Sequence, residues 1–177
     1  MLDNSITHKE EKRISYTLAN VFLVVSAAWP LLNAMMGSFW QYFMTDVALI
    51  ATGIVALVVS ISRTLEWFTV IIAGIIMEKT TFKDAKYKPW LLIAPAGVTL
   101  FFVLMFINYP FGEATKAVLL GTSYVLAAFF INFMIITQNT MVALIGQRSQ
   151  KDRTLLAAKR GQGSAIGKLL FGVIGLP

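Results

Sequence analysis

An all-α, polytopic transmembrane helix bundle is the fold class this sequence predicts, and three observations predict it. Hydrophobic residues make up 57% of the chain and charged ones 14%, against a usual charged share of about 25%. A water-soluble domain of this size could not bury so much apolar surface. The apolar residues gather in long runs, several exceeding the roughly 20 residues that cross a bilayer core about 30 Å thick. The basic residues behind the formal net charge of +6 fall in short clusters between those runs, as the positive-inside rule produces. The partner implied is therefore the lipid bilayer of the cell (plasma) membrane, crossed several times, and not nucleic acid.

Residues 1–13 form a polar tail of mixed charge, Lys9 to Arg13 being its most charged part. The first apolar run covers 14–44 and is interrupted by Pro30, which is expected to kink or break it. This run is long for one span, so an irregular or re-entrant piece is expected inside it. Leu18 to Ala28 has the look of a signal-peptide core, but no soluble domain follows, and an uncleaved first membrane helix is the better reading. Thr45-Asp46 reads as a very short connection. A second helix then covers 47–77, and a charged loop follows, with Glu78, Lys79, Lys83, Asp84, Lys86 and Lys88. Pro89 opens a third helix, 89–107, at a position where proline is tolerated. Asn108 to Glu113 is a turn, and a fourth helix spans 114–145. Arg148, Lys151 and Arg153 make a basic loop before a fifth helix, 154–177. Lysine and arginine crowd the tail and the second and fourth connections, and the other two connections offer only Lys116. The N-terminus is therefore expected on the cytoplasmic side.

The second run carries Arg63 and Glu66 near its middle, Arg63 roughly 20 Å from either end. A charge at that depth costs about 2.5–3.5 kcal/mol on insertion scales. Three residues apart, the two share a helix face and offset each other's cost. One reading is a structural ion pair between packed helices. The sharper one is a polar centre in a transport path, since ionisable groups inside a membrane mark function by default. In the fifth run, Lys159, Arg160 and Lys168 face an aqueous cavity, snorkel to an interface, or mark an incomplete span. Gly163 and Gly167 form a small-xxx-small pair suited to close helix contact.

Several chemistries find no support. Gly161 to Lys168 resembles a phosphate loop only superficially: the spacing is wrong and Leu169 stands where a hydroxyl residue is required. There is no cysteine, and His8, the only histidine, lies in the tail, which leaves no disulfide framework or thiolate metal site. No nucleophile–base pair appears. The chain reads as a non-enzyme with no tightly bound cofactor.

Glu78-Lys79, then Lys83, Asp84 and Lys86-Tyr87-Lys88-Pro89-Trp90, resemble the loop between helices 2 and 3 of the glycoside–pentoside–hexuronide:cation symporters, the melibiose and lactose permeases of that type. There the loop reads G-[KR]-[FY]-[KR]-P-W, and Ala85 stands here for the glycine. Ile14-Ser15-Tyr16 resembles the family's start of helix 1, and Tyr42 to Asp46 its end. The resemblance implies a partial major-facilitator fold with about five of some twelve helices, the binding cavity lying between two halves. Its acidic helix 2 pattern, R-x-x-[DE]-x-x-x-D-P, matches here at Arg63 and Glu66. Val70 and Ile71 replace the second acid and the proline, and Thr69 lies where a polar neighbour helps bind the cation. Asn132 falls near the family's cation-site position on helix 4, where it would also line the substrate cavity. Ile135 stands for a sugar-binding aspartate, and Val24 for one on helix 1. Arg160 matches an arginine that faces the sugar. The plainer alternatives are a helix–helix hydrogen bond for Asn132 and a snorkelling anchor for Arg160.

Two functions follow. The first is secondary transport of a sugar or glycoside coupled to H⁺ or Na⁺, the chain being the N-terminal portion of a symporter, inactive alone and completed by a C-terminal half. Glu66 would then bind the coupling ion, with Arg63, Thr69 and Asn132 around it and Arg160 on the substrate. The second is a small non-transporting membrane protein that assists assembly or regulation of another membrane protein.

Overall fold

The computed structural model describes residues 16–80, 89–146 and 150–174. The tail 1–13, the Lys83 to Lys88 part of the charged loop, Arg148 and Pro177 lie outside the described residues. All regular structure among the described residues is helical. The first helix comprises α1 (Tyr16–Ala34), a wider π turn (Met35–Phe39), the short α2 (Trp40–Tyr42) and a second π turn (Phe43–Val47). There follow α3 (Thr52–Lys79), α4 (Trp90–Leu104), α5 (Glu113–Gly146) and α6 (Gln150–Ile174). Three stretches are long and apolar enough to cross a membrane: Ala19–Val47, Thr52–Lys79 and Glu113–Leu144. The apolar part of α4, Leu92–Leu104, is shorter, and α6 carries five basic residues from Lys151 to Lys168.

The helix continues through Pro30, and the irregularity expected of this run arrives later, as the two π turns. The first connection also lies later than Thr45-Asp46. Thr45 Oγ1 donates back to the Gln41 and Tyr42 carbonyls, at 3.3 and 3.1 Å, and the Ala48 N–H still reaches Phe43 O at 2.9 Å. These polar residues are thus absorbed into the last helical turn. The chain reverses at Leu49, whose φ of 55° is left-handed, so α3 starts at Thr52 and not at residue 47. At the other end α6 starts one turn earlier than 154, with Asp152 in its first turn, where an acid suits the helix dipole.

The chain forms two compact units, residues 33–139 and residues 1–32 with 140–177. In the first, α5 is the central helix. The α3 contacts climb it in order: Val58 would meet a Cβ on Gly121 at 2.9 Å, Glu66 meets Tyr124, Thr69 meets Asn132 and Met77 meets Thr137. The two helices therefore run parallel. The buried side of α3 is a stripe of Val55, Ser62, Thr69, Ala73 and Met77, mostly small residues that let helices approach where lipid removes the hydrophobic drive to associate. Trp90 of α4 stacks on Phe133 of α5 at 4.2 Å and 14°, closing a core with Ala73, Met77 and Ala94.

The link between the first helix and α3 is held from the α4–α5 turn. Asn108 Nδ2 donates to Val47 O at 3.2 Å, Lys116 Nζ to Ala48 O at 3.1 Å, and the Ala51 N–H donates to Glu113 Oε1. A cation thus meets a helix C-terminus and an anion a helix N-terminus, each complementing the dipole there. In the second unit, α6 lies against the first helix. A Cβ on Gly163 would collide with the Leu23 carbonyl, and one on Gly167 with that of Ala27. The four-residue spacing on both sides makes this a parallel backbone-to-backbone approach, the contact for which the glycine pair is suited.

Candidate functional site

The site grows from one helix. Arg63, Glu66 and Thr69 fall at three-residue steps on α3, so helix geometry alone brings them to neighbouring positions. Arg63 Nη1 donates to Glu66 Oε2 at 3.2 Å, with the two side chains 42% and 31% exposed. Thr69 Oγ1 donates to the carbonyl of Glu66 at 2.7 Å, a local back-bond open to hydroxyl residues in helices. The pair borders an open cavity of about 620 Å³ lined further by Trp67, Phe68, Val70 and Ile71.

The rest comes from other helices of the same unit. Tyr124 of α5 donates its hydroxyl to the same Glu66 Oε2 at 3.0 Å. Asn132, two turns on, donates Nδ2 to Thr69 Oγ1 at 2.9 Å. The Arg63 guanidinium carbon lies 5.3 Å from the centroid of the Tyr124 ring, within cation–π range. Trp40, between the two π turns of the first helix, stacks on that ring at 4.3 Å and 21°. Gly37, in the first π turn, leaves room for the guanidinium: a Cβ there would sit 3.6 Å from Arg63 Nη2.

Of the residues expected to carry function, Arg63, Glu66, Thr69 and Asn132 therefore join one hydrogen-bonded group. Arg160 belongs to α6, in the other unit, and is half-buried. Val70 is exposed and Ile135 half-buried, both apolar. Tyr124, Trp40 and Gly37 were missed by sequence reasoning. The one signal for Tyr124 was a phenol near the middle of a mainly apolar helix, and nothing in local spacing singles out Trp40.

The group holds a carboxylate with two donors on one oxygen, and a hydroxyl and an amide close by. It can exchange a proton or offer a few oxygens to a cation. Among the described residues no three His, Cys, Asp or Glu come together as a metal site, and the chain has no cysteine.

Two curated proteins of Escherichia coli strain K12 resemble the chain. The "Putative glycoside/cation symporter YagG" is 26% identical over 148 residues, covering 80% of this chain and 32% of that protein. The "Putative 2,3-dihydroxypropane-1-sulfonate exporter" is 28% identical over 130 residues, covering 72% of this chain and 28% of that protein. The chain thus spans about a third of the length of these relatives. No solved structure matches at comparable stringency. The family described as "MFS/sugar transport protein" matches residues 21–177. With nearly every helix inside that match, this polytopic plasma-membrane protein belongs to the MFS/sugar transport protein family and is not an enzyme.

Proposed function

We propose that the chain is the N-terminal portion of a glycoside–pentoside–hexuronide:cation symporter, and that Glu66 is its coupling group. The observation that carries this reading is a carboxylate on an apolar helix, held by Arg63 and Tyr124 beside the Thr69–Asn132 pair. An acid kept in place at that cost in lipid has a task to perform there. Glu66 takes the coupling ion, Arg63 tunes it, and Thr69 and Asn132 order the neighbouring turn. Arg160 contacts the sugar or glycoside.

A proton suits the site better than Na⁺. Val70 and Ile135 supply no oxygen, and hard cations gather several oxygen ligands, whereas one carboxylate suffices for a proton. Because the matched relatives are about three times longer, transport is proposed for the protein completed by a C-terminal half. The test is uptake of labelled sugar in cells that express the chain with a matching C-terminal half. Glu66→Gln is expected to abolish proton-driven accumulation, and unchanged accumulation would overturn the coupling role.

The second reading, a non-transporting assembly partner, has less support. The glycine pair on which such association would rest already faces Leu23 and Ala27 of the same chain.

A further inference from the structure

We propose that Tyr124 is a positioning residue for the Glu66 carboxylate, and that the irregular end of the first helix holds Tyr124 in place through Trp40. This inference rests on Glu66 being the coupling group. Tyr124 is 1% exposed, yet its hydroxyl ends on the one carboxylate oxygen that Arg63 also approaches. With the Arg63 guanidinium and the phenol both on Oε2, that oxygen is held and the carboxylate cannot turn freely. Arg63 and Tyr124 are the ionisable groups facing Glu66 from α3 and α5, and the first helix presents Gly37 and Trp40.

Trp40 is the lever. It is also 1% exposed, and its indole N–H is buried without an acceptor. Its ring stacks on that of Tyr124 at 4.3 Å. Buried indoles usually find an acceptor, so the position is set by the stack. Trp40 lies between two π turns, and such turns are frequent at functional sites. Re-registering either turn by one residue would rotate Trp40 by about 100° and carry it off the ring. A shift in the first helix would thus be felt at the Glu66 carboxylate, through one aromatic contact and one hydrogen bond.

The test uses the full chain in lipid nanodiscs and an apolar carbodiimide, to whose central carbon a carboxyl oxygen adds while the proton passes to nitrogen, with the Glu66 adduct located by mass spectrometry. Tyr124→Phe keeps the ring and drops the hydroxyl. It is expected to speed labelling roughly tenfold, the scale of one hydrogen bond to a charged group. Trp40→Leu is expected to speed it severalfold, and Trp40→Phe, which keeps a stacking ring, to restore the wild-type rate. Thr122→Val, on an exposed side of α5, is expected to label like wild type. Wild-type labelling in Tyr124→Phe overturns the role of Tyr124, and wild-type labelling in Trp40→Leu overturns the lever. Equal rates for Trp40→Leu and Trp40→Phe overturn it too. The coupling reading fails separately, in the uptake assay with Glu66→Gln.

Discussion

Thr69 joins the two halves of the polar group. Its hydroxyl donates to Glu66 O and accepts from Asn132 Nδ2, and the residue is 7% exposed. Thr69→Val keeps the volume and removes both bonds, stranding the Asn132 amide. The expected cost is about 1–3 kcal/mol, read as a lower melting temperature in detergent. Asn132→Leu on that background should recover part of the loss, because no buried donor is then left unmet. Strictly additive losses would show that the 2.9 Å contact carries no coupling energy. The same logic applies to the ion pair. Arg63→Met leaves the Glu66 carboxyl group with one donor fewer, so Arg63→Met with Glu66→Gln should be more stable than Arg63→Met alone. Both side chains are partly exposed, which limits the difference to about 1 kcal/mol.

At the scale of helices, glycine decides which surfaces meet. Gly163→Val and Gly167→Val would drive side-chain atoms into the Leu23 and Ala27 carbonyls, so α6 must separate from the first helix. Gly161 and Gly172, on the same helix, have open space where a Cβ would stand, and alanine there should be tolerated. Thermal melting in detergent offers the measurement: Gly161→Ala is expected to melt with the parent and Gly163→Val at a lower temperature. Equal melting in all three would mean that the glycine contact does not hold the helices. The capped link behaves differently. Glu113→Ala removes the acceptor of the Ala51 N–H at the start of α3, an expected loss of about 1 kcal/mol. Leu49→Gly should stabilise by a similar amount, since glycine adopts a positive φ without strain.

At the scale of the molecule, topology is the open consequence. The Asn108–Val47 and Lys116–Ala48 bonds place the first connection and the α4–α5 turn at one end of the 33–139 unit. Lys79 closes the opposite end of α3. With lysine and arginine concentrated in the loop that follows Lys79, that end should face the cytoplasm. The chain has no cysteine, so single cysteines report cleanly. Leu49→Cys and Phe111→Cys, at exposed positions, should react with an impermeant maleimide from outside intact cells, and Lys79→Cys only after permeabilisation. The reverse pattern would invert the orientation of the 33–139 unit.

Everything that depends on composition or on neighbours within a turn could be read along the chain. Apolar runs long enough to cross lipid, basic clusters at their ends, Arg63 with Glu66 and Thr69 at three-residue steps, and a glycine pair fit for close packing were all legible. Each follows from helix geometry or from the cost of charge in hydrocarbon, neither of which needs a second helix. Even here the turn at Leu49 was misplaced, because Thr45 bonds its own helix instead of ending it. Packing between helices is what brings Tyr124 and Asn132 into the polar group, sets Trp40 behind it and puts Glu113 at the start of α3. Tyr124, Asn132 and Glu113 lie some 60 residues from what they touch, and Trp40 lies further still from Tyr124. No periodicity encodes such a pairing: small residues at Gly121, Ser62 and Thr69 let α3 and α5 close at one register, and that register chooses which side chains meet.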